Sequence, residues 1–392
     1  MRIVVVGPTH PYKGGVAAHT TRTAQALADA GHDVDLVSWS RLYPAVLYPG
    51  EQAVPAGEPE FEYERTSRPL RWDRPLSWWR VGRDARSTEL LVVTVVVPAQ
   101  VPALLALIRA ARRGAPRVVL LAHNVAPHES HPGARWLMTR LIKAVDAVLV
   151  HSAQMAQEAH ALGARAVTVA ALPPHLPGGD PAPGERAEQA RRRRERRERE
   201  PGVVRVLFLG MIRRYKGADL LLEAARDVPG VRVTVAGEHW GRAGERVAAL
   251  EADPALAQRV VRRAGYVPAG QVPVLLAEHD VLALPYRHAT ASQNVLLAHA
   301  HGLPVLATRV GTFPGQVTDG VDGVLVAPDD VGALAAGLRR LTDPAELARL
   351  EDGVPDVDLV TPWRVYAAAL TGAGLGHGAD AGPRRDNVGS SS

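Results

Sequence analysis

Gly210-Met211-Ile212-Arg213-Arg214-Tyr215-Lys216-Gly217 sets three cations between two glycines. The apolar run Val203–Leu209 leads in as a buried strand, and the helical pattern Ala218–Ala225 leads out. Glycine lets backbone approach a ligand closely, a helix start offers free N–H groups, and the cations add fixed positive charge. The chemistry suited to such a corner is binding of a phosphate or diphosphate. A solvated basic loop would read the same in isolation.

Three further segments carry reactive groups at strand ends. Gly7-Pro8-Thr9-His10-Pro11-Tyr12-Lys13-Gly14-Gly15-Val16 follows a first strand and opens a first helix. It is not G-x-G-x-x-G, which disfavours a dinucleotide site. Gly14 and Gly15 present bare amides there, and His19 lies one turn further on. Strand Arg117–Ala122 ends in His123-Asn124-Val125-Ala126-Pro127-His128-Glu129. A histidine at a strand's carboxyl end can donate to a hydroxyl or transfer a proton, and His128 and Glu129 could do likewise. The run lacks the i, i+4 spacing of a zinc helix, so no metal is expected. The loop Pro285–Asn294 joins a buried strand to the apolar helix Val295–His301. Thr290 or Ser292 can cap that helix, leaving amides around Ala291, Gln293 and Asn294 for an anion. Each segment also has a plain reading: a glycine turn, a satisfied loop histidine, a capped helix.

These residues need a frame that brings strand ends together. The chain alternates strand and helix: strands at Ile3–Gly7, Asp33–Ser38, Leu90–Val97, Arg117–His123 and Ala147–His151, then at Val203–Leu209, Val231–Ala236, Val281–Pro285 and Val305–Thr308. Alternating βα units imply parallel sheets covered on both faces. Asp146–His151 echoes Asp280–Pro285, an acidic start followed by an apolar strand. The expected fold is α/β, with two Rossmann-like doubly wound domains facing across a cleft at the carboxyl ends of their strands. The expected boundaries are residues 1–172 for the first domain and 203–360 for the second. Between them, 173–202 reads as a linker whose run Arg191–Glu200 is a solvated basic arm. A helix over 361–371 is expected to pack back on the first domain, and 372–392 reads as a disordered tail.

The 392 residues suffice for two domains, and 46% apolar with 22% charged content marks a globular chain. The 46 Lys+Arg against 41 Asp+Glu leave a mild net charge of +5. No aromatics interleave the basic arm, so a nucleic-acid partner is not expected. The absence of cysteine excludes disulfides, thiolate metal sites and cysteine nucleophiles. The longest apolar run, around Leu90–Leu107, carries prolines and Gln100, too broken to span a bilayer. Met1–Val6 leads straight into Gly7 as a strand rather than a signal peptide, so cytoplasm is the expected location. Arg71-Trp72, Trp78-Trp79-Arg80 and Arg135-Trp136 with Arg140 and Lys143 mix aromatic and basic residues, which suits the inner membrane face as a peripheral contact or ordinary helix packing. Neither a G-x-S-x-G elbow nor a G-x-x-x-x-G-K-[ST] loop is present.

With the twin halves, the Pro11–Val16 loop, Gly210–Gly217 and the string Gly302-Leu303-Pro304-Val305-Leu306-Ala307-Thr308-Arg309-Val310-Gly311, the sequence over about residues 1–370 resembles retaining glycosyltransferases of the GT-B fold, family 4 type. Pro-Tyr-Lys-Gly-Gly-Val and His-Asn-Val-x-Pro-His-Glu look like a bacterial subgroup of it. The resemblance implies a hexosyl- or N-acetylhexosaminyltransferase that takes a nucleotide diphosphate sugar, UDP or GDP foremost, with no further cofactor and no metal. Arg213 and Lys216 would neutralise the leaving diphosphate, with Gly210 and the segment 290–294 beside it. Gly14 and Gly15 would admit the phosphates. His123 would contact the donor sugar, and His19, His128 and Glu129 the sugar or a hydroxyl acceptor. The two glutamates usual in the family align with Ala289 and Leu297 and are missing, and Met211 stands where an arginine is usual. A non-catalytic nucleotide-sugar-binding partner is therefore the alternative. An epimerase would need carboxylates in the second-domain loop, and a pyridoxal phosphate phosphorylase a further lysine; neither is seen.

Overall fold

A computed structural model gives the chain its elements, described over residues 1–12, 15–42, 53–54, 62–125, 133–239, 241–288 and 292–376. The chain divides into two units. One holds the described residues up to His175 together with those from Leu359 onward; the other is Leu176–Asp358.

The first unit runs β1 (Arg2–Val6), α1 (Gly15–Asp29), β2 (Asp33–Arg41), β3 (Thr66–Arg71), α2 (Pro75–Asp84), β4 (Leu90–Val95), α3 (Val101–Ala111), β5 (Arg117–Ala122), α4 (Ala134–Ala144), β6 (Ala147–Val150), α5 (Ala153–Ala161) and β7 (Val167–Val169). All seven strands are parallel, in the order β3-β2-β1-β4-β5-β6-β7. Successive side chains of a strand point to opposite faces, so an unbroken apolar run serves two layers. Val4, Val6, Leu91, Val93, Val118 and Leu120 pack under α2 to α5 through Val81, Leu104, Met138 and Ala159. Their neighbours Ile3, Val5, Leu90, Val92, Val119 and Leu121 pack on the other face, against Ala24 and Leu27 of α1.

The second unit runs α6 (Glu185–Arg199), β8 (Val204–Leu209), α7 (Ala218–Arg226), β9 (Val231–Gly237), α8 (Gly241–Glu251), β10 (Val260–Ala264), α9 (Val272–Glu278), β11 (Val281–Leu284), α10 (Asn294–Ala300), β12 (Val305–Thr308), α11 (Phe313–Gln316), β13 (Gly323–Val326), α12 (Val331–Leu341) and α13 (Pro344–Gly353). Its six parallel strands lie in the order β10-β9-β8-β11-β12-β13. In both sheets the order reverses beside the unit's first strand, the Rossmann arrangement, and ligands of such sheets sit beyond the strand ends at that reversal. The last helix, α14 (Thr361–Leu375), belongs to the first unit. It buries Tyr366, Ala367 and Leu370 beside α1, against the β5, β6 and β7 side of the sheet. The Arg117 guanidinium donates to the Gly374 carbonyl at 3.0 Å.

Two features differ from the sequence reading. Strands β3, β7, β10 and β13, the edge strands of the two sheets, were not expected: TSRPLR and VVRRA have exposed polar faces and no apolar run, and VTV and GVLV are only three and four residues long. The segment expected as linker and solvated arm holds α6, and α6 is docked on the second unit. Arg193 is 0% exposed, donates to Glu351 at 2.8 Å and reaches the Gly302 carbonyl at 3.0 Å. Arg196 and Arg197 both donate to Asp280, at 2.6 and 3.0 Å, and Arg197 also to Glu351 at 2.6 Å. Spacing of three and four residues puts these arginines on one helix face. Arg191 and Arg192 sit on the exposed side and pair with Glu188.

Candidate functional site

The glycine-bracketed corner lies where the second sheet reverses, between the carboxyl ends of β8 and β11. Gly210 has φ 121°, and a tight helical turn over Arg214–Lys216 ends at Gly217, φ 70°, which opens α7. A Cβ on Gly217 would collide with the Pro285 carbonyl oxygen, and one on Gly210 would stand 2.9 Å from Lys216 Nζ. Gly217 is needed for the close approach of the two loops, beyond its φ angle, whereas at Gly210 the constraint is the φ itself.

Within that corner the cations differ. Arg213 and Arg214 are exposed. Lys216 is largely buried, its Nζ 5.7 Å from the centre of the Tyr286 ring, and among the described residues no carboxylate pairs with it. Burial, then the charge of Arg213, holds its ammonium below the usual lysine range. Arg287 is already neutralised: it donates twice to Asp219 at 2.8 Å and lies 2.7 Å from Asp329. Its Nη1 also donates to the Arg214 carbonyl at 2.6 Å, tying the two loops together. Tyr286 is buried, its phenol pushed up to about 12 by desolvation, and its Oη accepts from Asn294 at 3.2 Å. Tyr215 packs edge-on to it at 6.0 Å. Gln293 stands at the N-cap of α10, and Ser292 Oγ accepts from the Asn294 amide at 3.3 Å. Leu297 is buried in α10. Gly14, His128, Glu129, Ala289, Thr290 and Ala291 lie outside the described residues.

The first unit holds a second cluster. His123 directly follows β5, and His19 projects from α1 with its ring centre 4.7 Å away at an interplanar angle of 90°. His151 directly follows β6, 5.0 Å from His123, and its Nδ1 donates to the Ala170 carbonyl at 3.2 Å. From α14, Tyr366 stands 5.1 Å and Trp363 5.3 Å from His19; the Trp363 indole donates to the Pro174 carbonyl at 2.6 Å. His175 lies 6.4 Å from His19, and a Cβ on Gly15 would stand 3.4 Å from its Nε2. His19 is 0% exposed, so the direct sugar or acceptor contact expected of it gives way to contact with His123.

Burial is the first cause of every shift in this cluster. It holds His19 well below the usual histidine range, pushes His123 to about 3 and His175 to about 4, and lowers His151. Neighbouring imidazoles add to this for His19 and His123, and Arg22 for His175. All four rings are uncharged at neutral pH. His123 therefore carries no imidazolium charge there. The folded rings bind protons less readily than the unfolded ones, near 6.5, so stability is intact above about pH 6.5. It falls as pH drops from there toward about 3, because the unfolded chain takes up more protons. The thermal midpoint is expected to fall steeply between pH 6.5 and 4.5, less so in His19→Phe; a flat midpoint across that range would contradict neutral burial.

Sequence reasoning found His123 but missed His151, His175 and Tyr366. One signal was available: Leu121 pairs with Leu149 in register, so His123 and His151 end adjacent strands at the same level. Among the described residues, no group of three or more His, Cys, Asp or Glu could hold a metal ion.

Residues 13–174 match the family described as Glycosyltransferase Family 4, and residues 203–343 match Glycosyl transferases group 1. A D-inositol 3-phosphate glycosyltransferase of Mycobacterium avium is 36% identical over 151 residues, 36% of this chain and 35% of the relative. That of Mycobacterium marinum is 34% identical over 196 residues, 48% of this chain and 41% of the relative. The matched part is thus between about a third and two fifths of these relatives' length. Among solved structures, Anabaena HepE in complex with UDP and glucose is similar with a TM-score of 0.63 at 16% identity, covering 95% of this chain and 100% of that one. The catalytic domain of Arabidopsis thaliana starch synthase IV, bound to ADP and acarbose, gives 0.64 at 13%, covering 95% and 99%.

Proposed function

We propose that this chain, which belongs to the GT-B glycosyltransferases of the family 4 type, transfers a sugar from a nucleotide diphosphate sugar to a hydroxyl acceptor with retention at the anomeric carbon. The observation that carries this is Lys216: a buried ammonium without a carboxylate, beside Arg213 at a glycine-bracketed sheet reversal. A desolvated cation in that state favours an anion, and two cations suit a diphosphate. HepE holds UDP and glucose in its structure, which favours a uridine donor, with GDP the next candidate. As the bond from the anomeric carbon to the diphosphate breaks, the acceptor oxygen bonds to that carbon on the same face and its proton passes to the departing phosphate oxygen. Lys216 and Arg213 stabilise charge that grows only as that bond breaks, so they act on the transition state more than on the bound donor, and no metal is needed. His123 supplies a neutral ring to a substrate hydroxyl.

The deciding experiment is a thermal-shift screen of the full chain against UDP, GDP, ADP and their sugars, followed by a donor-hydrolysis assay. Stabilisation by one nucleoside diphosphate and release of its sugar are expected. No stabilisation by any of them would overturn the reading. Binding without turnover over a broad acceptor panel would instead favour a non-catalytic binder, consistent with the buried Leu297.

No helix among the described residues is long and apolar enough to cross a membrane. We further propose that the reaction takes place at the inner membrane face, with the first unit as a peripheral contact. Leu76 is 83% and Trp136 58% exposed, Trp72 and Trp79 are also exposed, and Arg140 lies 4.6 Å over the Trp136 ring. Helices α2 and α4 contribute Arg80, Arg83, Arg135, Arg140 and Lys143 against a single acid, Asp84. Interfacial aromatics and cations together suit anionic headgroups. Co-sedimentation with phosphatidylglycerol vesicles, absent with phosphatidylcholine and lost in Leu76→Ser/Trp79→Ser, is expected. Equal sedimentation with both lipids would remove the electrostatic argument.

A further inference from the structure

Arg287 lies beside the glycine-bracketed corner, yet its positive charge is already met by two carboxylates. Nη1 and Nη2 donate to the two oxygens of Asp219 at 2.8 Å, a bidentate pair, and Nε lies 2.7 Å from Asp329. The Arg287 and Asp219 side chains are 14% and 11% exposed, so this pair is largely out of water. The other bonds of Arg287 go to backbone. Nη1 also donates to the Arg214 carbonyl at 2.6 Å, and the Arg287 amide donates to the Tyr215 carbonyl at 2.7 Å. Arg214, Tyr215 and Lys216 form one tight turn, so Arg287 grips that turn at both positions before the lysine.

Three loops at the carboxyl end of the second sheet meet at this guanidinium, those after β8, β11 and β13. Asp329, in the third, has φ 53°, a left-handed conformation that strains a residue with a side chain. Glycine would adopt it without that cost; what aspartate adds is the carboxylate on Arg287. Tyr286, the residue before Arg287, faces the Lys216 ammonium, 5.7 Å from its ring centre. Tyr286 is itself held from three sides. Thr308 Oγ1 donates to its carbonyl at 2.6 Å, Asn294 donates to its hydroxyl at 3.2 Å, and Phe313 packs at 5.2 Å.

We propose that Arg287 is a positioning residue for Lys216: anchored on Asp219 and Asp329, it holds the Arg214–Lys216 turn against the Tyr286 loop and so fixes where the ammonium meets the donor's diphosphate. This rests on the reading of Lys216 given above. The planar fork suits the task, because it reaches a carboxylate and a carbonyl in fixed directions at once. A reacting group displaced by about 1 Å loses roughly 100-fold in rate, so a residue outside the site can act strongly through one inside it.

Lys13, Lys143 and Lys216 are the chain's lysines, so 13C-lysine labelling resolves Lys216 in the full chain. The test titrates its ε-methylene signal from pH 7 to 11 and measures UDP affinity by calorimetry, in wild type, Arg287→Gln, Lys216→Met and the double variant. Lys216 is expected to titrate below the usual lysine range in wild type. In Arg287→Gln it is expected to move into that range as the turn loosens and water reaches the ammonium. UDP affinity is expected to fall about 10-fold in Arg287→Gln, but less than about 2-fold where Lys216 is already methionine, the non-additivity of one residue acting through another. Asp329→Gly covers the case in which Arg287→Gln fails to fold. It relieves the left-handed strain, so it is expected to melt at or above wild type while still shifting the Lys216 signal upward. A Lys216 signal unmoved in the variants that fold, or equal losses of affinity in both backgrounds, overturns the proposal. The underlying reading fails separately, if wild type and Lys216→Met bind UDP equally or not at all while the lysine signal still responds to Arg287.

Discussion

Lys216→Ala is expected to weaken binding of the nucleoside diphosphate while leaving the free protein as stable as before, or slightly more so. A hydrogen bond to a charged group contributes about 1.5–3 kcal/mol, roughly 10- to 150-fold in affinity. A preorganised contact to charge developing in the transition state adds about 2.7–4 kcal/mol in turnover, roughly 100- to 1000-fold. The free protein behaves differently because Lys216 is desolvated beside Tyr286 and Arg213 with no carboxylate to repay it. Removing the ammonium removes that cost, so Lys216→Met, which keeps the apolar stem, is expected to melt at or above the wild-type temperature. Arg213 is exposed, and its substitution is expected to cost less in affinity and more of that loss to be screened by salt. Calorimetric titration with the nucleoside diphosphate, alongside melting curves, reads both effects. Equal affinity in Lys216→Ala and wild type would remove the residue from the site.

Glu351→Ala is expected to destabilise the second unit by about 3–5 kcal/mol, because it leaves buried Arg193 without its carboxylate and takes a partner from Arg197. Burial already presses on the Arg193 guanidinium, and Glu351 is the main group opposing that pressure. The exposed pair of Arg191 with Glu188 is the control, since such a pair is worth at most about 1 kcal/mol. Urea unfolding followed on the second unit's transition separates the two. A loss below about 1 kcal/mol in Glu351→Ala would mean that α6 is not held by this ion pair. The double change Arg193→Leu/Glu351→Leu is expected to recover much of the loss, since an apolar pair of similar volume pays no desolvation of charge.

These two residues also show what a sequence can reveal about this fold. Lys216 was legible because its signals are local: an apolar strand, two glycines and a helix start within about fifteen residues. The buried strands were legible for the same reason. Val204–Leu209 and Leu90–Val95 must read as unbroken apolar runs when both faces are covered. Edge strands escape that rule: Thr66–Arg71 and Val260–Ala264 are too polar to carry such a mark, and Val167–Val169 and Gly323–Val326 too short. Arg193 was visible only as one more charge in a charged run, since its partner lies 158 residues away. The histidine cluster was hidden in the same way. His19, His123, His151 and Tyr366 are single residues in four segments, and nothing within any one segment announces the other three.

Because α14 comes from the end of the chain yet covers one face of the first sheet, the first unit is finished last. During synthesis every residue of the second unit emerges before Tyr366 and Leu370 can reach α1 and the β5, β6 and β7 side of the sheet. Domains ordinarily complete themselves in the order they leave the ribosome. Here the earliest-made strands keep apolar side chains uncovered until Thr361–Leu375 has been made. A stop codon anywhere before Thr361 would strand that face in the same exposed state and strip His19 of its aromatic neighbours from α14.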